Sequence, residues 1–386
     1  MPTRISIIAG EASGDLMGGR LAQCLRSIEP DVVLAGIGGE RMRDAGVRLW
    51  DDPTRLSAVG LVEVLMKLRS YKRLFDATLK ALVDMRPDLV VLIDYPGFNL
   101  RLGDRLKALG IPCVYYIPPT AWAWGAKRAE RVAGFAQKVL SVFPFEVDVY
   151  AKAGANVQFV GHPLVDSLDP FSVSERLQFE PGTVKVLGLF PGSRNQEIDK
   201  LLPVMLESCK IIQKARPDVI FELSLAPTVD EQRVLKYVSA SGVDVRLDTG
   251  SCPQLMSRCF AGVVASGTAT LEAALVGMPM VIVYRVSPLT MAIARRLLTI
   301  SSIGLPNIVL GRRAVPELVQ EDCTPDRVAD EMLRFCSDPE YYGRVIEDLS
   351  LVRERLGEPG ASLRAAQAVL EVARSCAAAG GDRVEA

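Results

Sequence analysis

A carboxylate directly after an unbroken apolar run is well placed to move a proton, and Asp94 follows such a run, Leu89-Val90-Val91-Leu92-Ile93. Pro96 and Gly97 turn the chain away just beyond it, so Asp94 is expected at the carboxyl end of a buried strand. A base there can deprotonate an attacking hydroxyl if its surroundings raise its pKa toward working pH. The bland alternative is an aspartate that caps the next helix. A second constellation, Ala265-Ser266-Gly267-Thr268-Ala269-Thr270-Leu271-Glu272, runs from an apolar strand through small residues into a helix. Small side chains bare the amides of a helix start, which suits a diphosphate. Glu272, expected in the first turn, is then an acceptor for both ribose hydroxyls or, more plainly, a capping-box partner. Phe190-Pro191-Gly192-Ser193-Arg194 ends a further strand. Gly192 lets the backbone approach a ligand, and Arg194 beside Ser193 offers a planar fork for diphosphate oxygens. A solvated surface turn is the alternative there.

Weaker signals surround these three. Gly10-Glu11-Ala12-Ser13-Gly14-Asp15 follows the first apolar run and leads to a helix expected to open near Leu16, making Glu11, Ser13 and Asp15 candidates for an anion or a sugar hydroxyl. Neither this stretch nor Gly36-Ile37-Gly38-Gly39, read as a tight turn, has the glycine spacing of a dinucleotide fingerprint, which disfavours a dehydrogenase. Trp122 and Trp124 stand on a proline-stiffened loop suited to sugar or acyl packing, or to filling between domains. Asn307 and the Val315–Gln320 stretch place amides and a carboxylate on expected loops, the equipment for reading a base or a sugar, with Gln320 at the end. His162, the only histidine, reads first as a hydrogen-bonded structural residue and second as a base bordering the ligand. Leu61, Val64, Leu65 and Leu68 recur at helical spacing beside Lys67, Arg69, Lys72 and Arg73, and Leu289–Ile300 repeats the theme around Arg295 and Arg296. Such faces contact lipid or, as commonly, form an ordinary core face.

These side chains need a scaffold, and the apolar pattern describes one. With 386 residues the chain exceeds what one core normally holds. Short β-branched runs at Arg4–Ile8, Val32–Ile37, Leu89–Ile93, Cys113–Ile117, Lys138–Val142 and Val157–Val160 alternate with amphipathic stretches, and a second series runs Val184–Leu189, Ile220–Leu225, Val243–Leu247, Gly262–Ala265 and Met280–Tyr284. Continuous rather than alternating apolar runs signal strands buried on both faces, hence parallel sheets. The expectation is an α/β protein of two Rossmann-like, doubly wound parallel-sheet domains facing across a cleft. Residues 1–168 form the first domain and 169–360 the second, with a closing helix and tail over 361–386. Ligands in such sheets sit beyond the carboxyl ends of the strands.

Composition removes several classes of function. Lys and Arg total 45 against 46 Asp and Glu, so no global field recruits nucleic acid. The eight cysteines form no Cys-x-x-Cys pair, and no Asp-x-Asp triplet occurs, so neither a metal site nor a redox dithiol is expected, and no cofactor. The uncharged run Ala108–Ala126 approaches the ~20 residues needed to span a bilayer, but Pro112, Pro118 and Pro119 break it. Left open at this point are a UDP-sugar transferase, another enzyme of the same fold such as an epimerase with a soluble acceptor, and a nucleotide-binding protein without catalysis.

Taken together, Gly10–Asp15, Ala58–Leu65, Ile93–Asn99, Trp122-Ala123-Trp124, Gly161–Asp166, Pro191–Arg194, Ser266–Glu272, Gly304–Asn307 and Val315–Gln320 resemble the lipid-A-disaccharide synthase family, inverting glycosyltransferases of the GT-B fold. The resemblance implies that the 6-hydroxyl of 2,3-diacylglucosamine 1-phosphate attacks the anomeric carbon of UDP-2,3-diacylglucosamine. The products would be UDP and a β-1,6-linked disaccharide. It implies Asp94 as base and Arg194, Glu272, Asn307 and the Ser266–Thr270 loop on the nucleotide side. It further implies a cytoplasmic enzyme held peripherally at the inner membrane. Pro118-Pro119-Thr120 and Gly125 depart from the family's usual serine-proline-serine and arginine around the tryptophans, so the acceptor side matches less sharply.

Overall fold

The structure, a computed structural model, describes residues 2–53, 61–119, 127–168, 170, 176, 185–286 and 302–381, with backbone alone for 61–69 and 379–381. Trp122, Trp124 and the Leu289–Ile300 stretch lie outside the described residues, as do the side chains of Leu61, Val64, Leu65 and Leu68. The chain divides into two units, Met1–Asp166 with Glu358–Ala386, and Ser167–Gly357.

The first unit is built on β1 (Arg4–Ala9), β2 (Val33–Ile37), β3 (Arg48–Asp51), β4 (Leu89–Ile93), β5 (Cys113–Tyr116), β6 (Lys138–Ser141) and β7 (Val157–Phe159), in the order β3-β2-β1-β4-β5-β6-β7. Every pairing is parallel. All five residues of β4 are fully buried, as a strand covered by helices on both faces must be. Those helices include α1 (Ala12–Ile28), α2 (Glu40–Asp44), α3 (Leu61–Met85), α4 (Pro96–Ala108), α5 (Lys127–Ala133) and α6 (Pro144–Lys152). Phe98 of α4 anchors the core on one face, with Tyr71 and Phe75 of α3 set edge-on to its ring at 5.5 and 5.4 Å. Gly36 lies inside β2 rather than in the tight turn expected from its glycine run. A Cβ there would fall 1.8 Å from the Ile7 carbonyl oxygen, so the adjacent strand leaves room for hydrogen alone.

The second unit repeats the plan with β8 (Lys185–Phe190), β9 (Val219–Ser224), β10 (Val245–Asp248), β11 (Ala261–Ala265), β12 (Met280–Tyr284) and β13 (Glu317–Val319), ordered β10-β9-β8-β11-β12-β13 and parallel throughout. Its helices include α7 (Asn195–Ala215), α8 (Glu231–Ser241), α9 (Cys252–Arg258), α10 (Thr268–Leu275), α11 (Leu305–Leu310), α12 (Pro325–Ser337) and α13 (Pro339–Arg355). β3 and β13 escape the apolar pattern because they are short edge strands: β3 is only partly buried, and Glu317 interrupts β13.

The terminal helix α14 (Ala361–Gly381) is the one departure in organisation. It belongs with the first unit, against α1, rather than forming a separate closing segment. Asp166 makes the return possible. Its carboxylate accepts the amides of Gly360, Ala361 and Ser362 at 2.7, 3.2 and 3.2 Å, satisfying donors that a helix start leaves orphaned. Arg364 adds a hydrogen bond to the Val160 carbonyl at 2.8 Å.

Candidate functional site

In both sheets the strand order reverses once, between β1 and β4 in the first unit and between β8 and β11 in the second. At such a reversal the connections leave in opposite directions and a crevice opens beyond the carboxyl ends. The motifs singled out above gather there. Ala9 of β1 pairs with Ile93 of β4, so Glu11 and Asp94 leave the sheet side by side. Phe190 pairs with Val264, which brings Pro191–Arg194 beside Ser266 and Gly267.

At the first switch point the chain turns abruptly. Asp94 and Tyr95 both take left-handed backbone conformations, with φ of 44° and 49°, uncommon for residues with side chains. The turn is held by its carbonyl, since the Asp94 carbonyl oxygen accepts from Tyr115 Oη and Asn99 Nδ2, both at 2.8 Å. Neither partner was suggested by the sequence, because each acts through the backbone of the residue it positions. Tyr95, not Asp94, is the N-cap residue of α4, and no side chain caps that helix. The helix-capping alternative for Asp94 is thereby removed. Gly10 is required because a Cβ there would meet the Tyr95 ring at 2.2 Å.

The Asp94 carboxylate is partly buried and has no cation paired with it among the described residues. Burial first, and the neighbouring Glu11 carboxylate second, push its pKa up to about 6, against a smaller opposing effect of the Tyr95 amide. A carboxylate so tuned is ionised at neutral pH yet basic enough to accept a proton.

The other acceptor-side candidates are placed differently. α1 begins at Ala12, earlier than expected, so Ser13 lies exposed in its first turn. Asp15 is buried and accepts the amides of Gly39, Arg41 and Met42 at 2.7, 3.0 and 3.1 Å, which ties α1 to the start of α2. His162 is also buried. Its Nδ1 accepts the Leu164 amide at 3.2 Å, its ring lies 5.1 Å from that of Phe143, and burial lowers its pKa to about 4. It is therefore neutral near pH 7, and it lies within the segment that receives α14.

In the second unit three helix starts lie near the switch point, and at two of them a carboxylate of the protein holds the N-cap amide and the amide before it. Glu197 accepts the amides of Ser193 and Arg194 at 2.9 and 3.2 Å and also pairs with the exposed Arg194 guanidinium at 3.2 Å. Glu317 accepts the amides of Ile303 and Gly304 at 2.9 and 3.0 Å, holding the turn that leads into α11. At α10 no carboxylate among the described residues holds the turn before the helix, and the amides of Thr268 and Ala269 have no acceptor among them. The N-cap residue there is Gly267, at φ 149° and ψ −163°, a conformation open essentially to glycine alone. Thr270 is buried and its hydroxyl donates back to the Gly267 carbonyl at 2.8 Å, while Ser266 Oγ donates to the Ile303 carbonyl at 3.2 Å. α10 thus presents two unsatisfied amides at its start, a geometry that suits an anion.

Glu272 lies in the second turn of α10, not the first, so it is no capping-box partner. Its carboxylate has no hydrogen-bond or ion-pair partner among the described residues, and burial raises its pKa. Asn307 is not on a loop; it lies inside α11, 1% exposed. Its Nδ2 donates to the Val315 carbonyl and to Glu317 Oε1, and its Oδ1 accepts from the amides of Ala314 and Val315, so all four hydrogen-bonding positions are used. Gln320 pairs with both backbone groups of Val286, at 2.7 and 3.3 Å. Asn307 thus fixes α11, which packs against α10, while Gln320 fixes the chain beyond β12. Among the described residues no cluster of metal-binding side chains occurs, and no helix is long and apolar enough to cross a membrane.

Comparison with known proteins bears on the family and the fold. Residues 5–372 match the family described as Lipid-A-disaccharide synthetase. The lipid-A-disaccharide synthase of Geobacter sulfurreducens is 43% identical over 373 residues, covering 96% of this chain and 97% of that protein. That of Myxococcus xanthus is 39% identical over 374 residues, covering 96% and 98%. Among solved structures, the UDP-GlcNAc 2-epimerase of Neisseria meningitidis bound to UDP-GlcNAc superposes with a TM-score of 0.62 at 14% identity, covering 96% of this chain and all of that one. A calicheamicin glycosyltransferase superposes with a TM-score of 0.60 at 14% identity over 96% of this chain and 98% of its own. At such low identity these structures speak for the fold, whereas the match to the synthases runs nearly end to end. The chain belongs to the lipid-A-disaccharide synthase family, the glycosyltransferases of lipid A biosynthesis, and carries the GT-B fold.

Proposed function

We propose that the chain joins UDP-2,3-diacylglucosamine to 2,3-diacylglucosamine 1-phosphate in one inverting displacement. Asp94 takes the proton of the acceptor 6-hydroxyl as that oxygen bonds to the anomeric carbon. The bond from that carbon to the diphosphate breaks, and UDP leaves with the electron pair. The observation that carries this reading is a partly buried carboxylate at a sheet's switch point, without a paired cation among the described residues and with its pKa raised to about 6. On the nucleotide side, the open amides of Thr268 and Ala269 receive the diphosphate, and Arg194 adds charge by leaving Glu197. The unpartnered Glu272 accepts from the ribose hydroxyls. Ser266, Gly267 and Thr270 shape that loop, and Asn307, Gln320 and Ser193 support it. Glu11 and Ser13 face the acceptor, and Trp122 packs against it. Helix dipole and arginine together neutralise the leaving group, so no metal is needed.

Both substrates carry acyl chains, which supports work at a membrane surface, in our reading the cytoplasmic one, with Leu61, Val64, Leu65 and Leu68 as the contact. Incubating the pure protein with the two diacylated sugars and analysing masses for UDP and disaccharide tests the reaction; no turnover with both present rejects it. Asp94→Ala is expected to lose about 10²–10⁴-fold in turnover while UDP binding is retained. Replacing Leu65 and Leu68 by serine should weaken vesicle binding without unfolding the chain.

A further inference from the structure

Beyond the switch point, the first unit has a surface pocket of 520 Å³ whose lining comprises Tyr71, Lys72, Phe75 and Asp76 of α3, Arg101, Asp104 and Arg105 of α4, and Arg131 of α5. That volume is within the usual range for small-ligand sites, about 300–1,000 Å³. Neither Asp94 nor Glu11 lines it. The floor is fixed: Tyr71 and Phe75 are edge-on to buried Phe98, and Tyr71 Oη donates to the Gly97 carbonyl at 2.6 Å. Arg131 is committed to Asp104 through two bonds of 3.0 and 2.6 Å. Three cations remain. Lys72, Arg101 and Arg105 make no ion pair among the described residues, and Arg101 lies 5.8 Å from the Tyr71 ring centroid. Arg101 and Arg105 are one helical turn apart and so share a face.

Four basic groups against two acidic ones leave the rim positive over an aromatic base. The lining carries no side-chain amide and no aliphatic hydroxyl with which to read a nucleobase or a sugar. What fits is a phosphate with apolar material beneath it. We propose that this pocket seats the phosphate headgroup of an anionic membrane lipid, separately from the site that carries Asp94. The assignment rests on the membrane-surface reading above and deepens it. Lys72 and Phe75 belong to the same helix as Leu61–Leu68, so one element would carry both the acyl contact and the headgroup contact.

The test is co-sedimentation with vesicles of phosphatidylglycerol and phosphatidylcholine in equal parts, against phosphatidylcholine alone, at constant ionic strength. The natural protein should prefer the anionic vesicles. Arg101→Gln with Arg105→Gln should lower that partition about thirtyfold, roughly fivefold for each charge. Turnover on detergent-dispersed substrates should stay unchanged. The charge-matched control, Arg43→Gln with Arg48→Gln, alters exposed residues of the same unit outside the pocket and should partition within about twofold of the natural protein. Equal losses in both double variants, or no loss in the first, overturn the pocket while leaving membrane attachment standing. A natural protein that ignores both kinds of vesicle overturns the attachment reading and the pocket with it. Glycerol 1-phosphate, the same phosphate without acyl chains, should displace no more protein than chloride at equal ionic strength. If it strips the protein from the vesicles, the site is one for a soluble phosphate ester and the lipid assignment fails.

Discussion

Asp94 links charge, stability and turnover in one side chain. Its pKa rises from 3.8 to about 6 because folding buries it beside Glu11. Below about pH 4 the carboxyl is protonated in both folded and unfolded chains and costs nothing; above about pH 6 it is ionised in both, and the folded state carries the whole penalty. Asp94→Asn is therefore expected to stabilise the protein at pH 8 by about 2 kcal/mol, allowing for partial exposure, and to leave stability unchanged near pH 4. Urea unfolding at the two pH values checks this. The same ionisation sets the acid limb of kcat/KM, which should fall tenfold per pH unit below about pH 6. Since His162 is held neutral down to about pH 4, its substitution should not move that limb. On the nucleotide side, Glu272→Ala removes charge-assisted hydrogen bonds of about 1.5–3 kcal/mol, so UDP affinity should drop about ten- to a hundredfold by calorimetry. An unchanged affinity would move the ribose elsewhere.

Turns and helix starts decide what those residues can reach. Gly267 holds α10 open, and a Cβ there meets nothing within 4 Å, so the obstacle to substitution is conformational rather than steric. Gly267→Ala should cost about 1–3 kcal/mol of strain and weaken UDP binding by reorienting the Thr268 and Ala269 amides, whereas Gly242→Ala, at the left-handed C-cap of α8 and so at the amino end of the sheet, should leave binding alone. Asp166 acts at the start of α14. Removing its three amide contacts by Asp166→Ala is expected to cost about 1–2 kcal/mol in chemical denaturation, with the loss centred on that helix in hydrogen exchange.

The division of the chain has a consequence for truncation. α14 buries Ala365, Ala366, Val369 and Leu370, all at 3% exposure or less, and the valine and leucine alone are worth about 1.5–3 kcal/mol each. That is a large part of the 5–15 kcal/mol typical of a domain's total stability, so residues 1–166 without 358–386 should fail to fold cooperatively. Residues 167–357 hold a complete six-stranded sheet with its helices and are expected to fold alone and bind UDP. Thermal melts and calorimetry on the two fragments separate these outcomes.

Sequence alone determined the elements that depend on near-neighbour chemistry: short unbroken β-branched runs read as strands covered on both faces, and Pro96 marked the end of β4, although the turn itself is made at Asp94 and Tyr95 while Pro96 and Gly97 open α4. It also identified the small-residue loop before α10, since bare amides at a strand end are a local property. It did not reveal that Glu197 and Glu317 hold the turns before α7 and α11, that Asn307 spends its amide inside a helix, or that Asp15 and Asp166 bind backbone amides distant in sequence. A polar side chain's partners are set by what folding brings within 3 Å of it, and spacing along the chain carries no record of that. The edge strands β3 and β13 and the return of α14 to the first unit share the same cause, because their stability comes from surfaces contributed by residues far away in the chain.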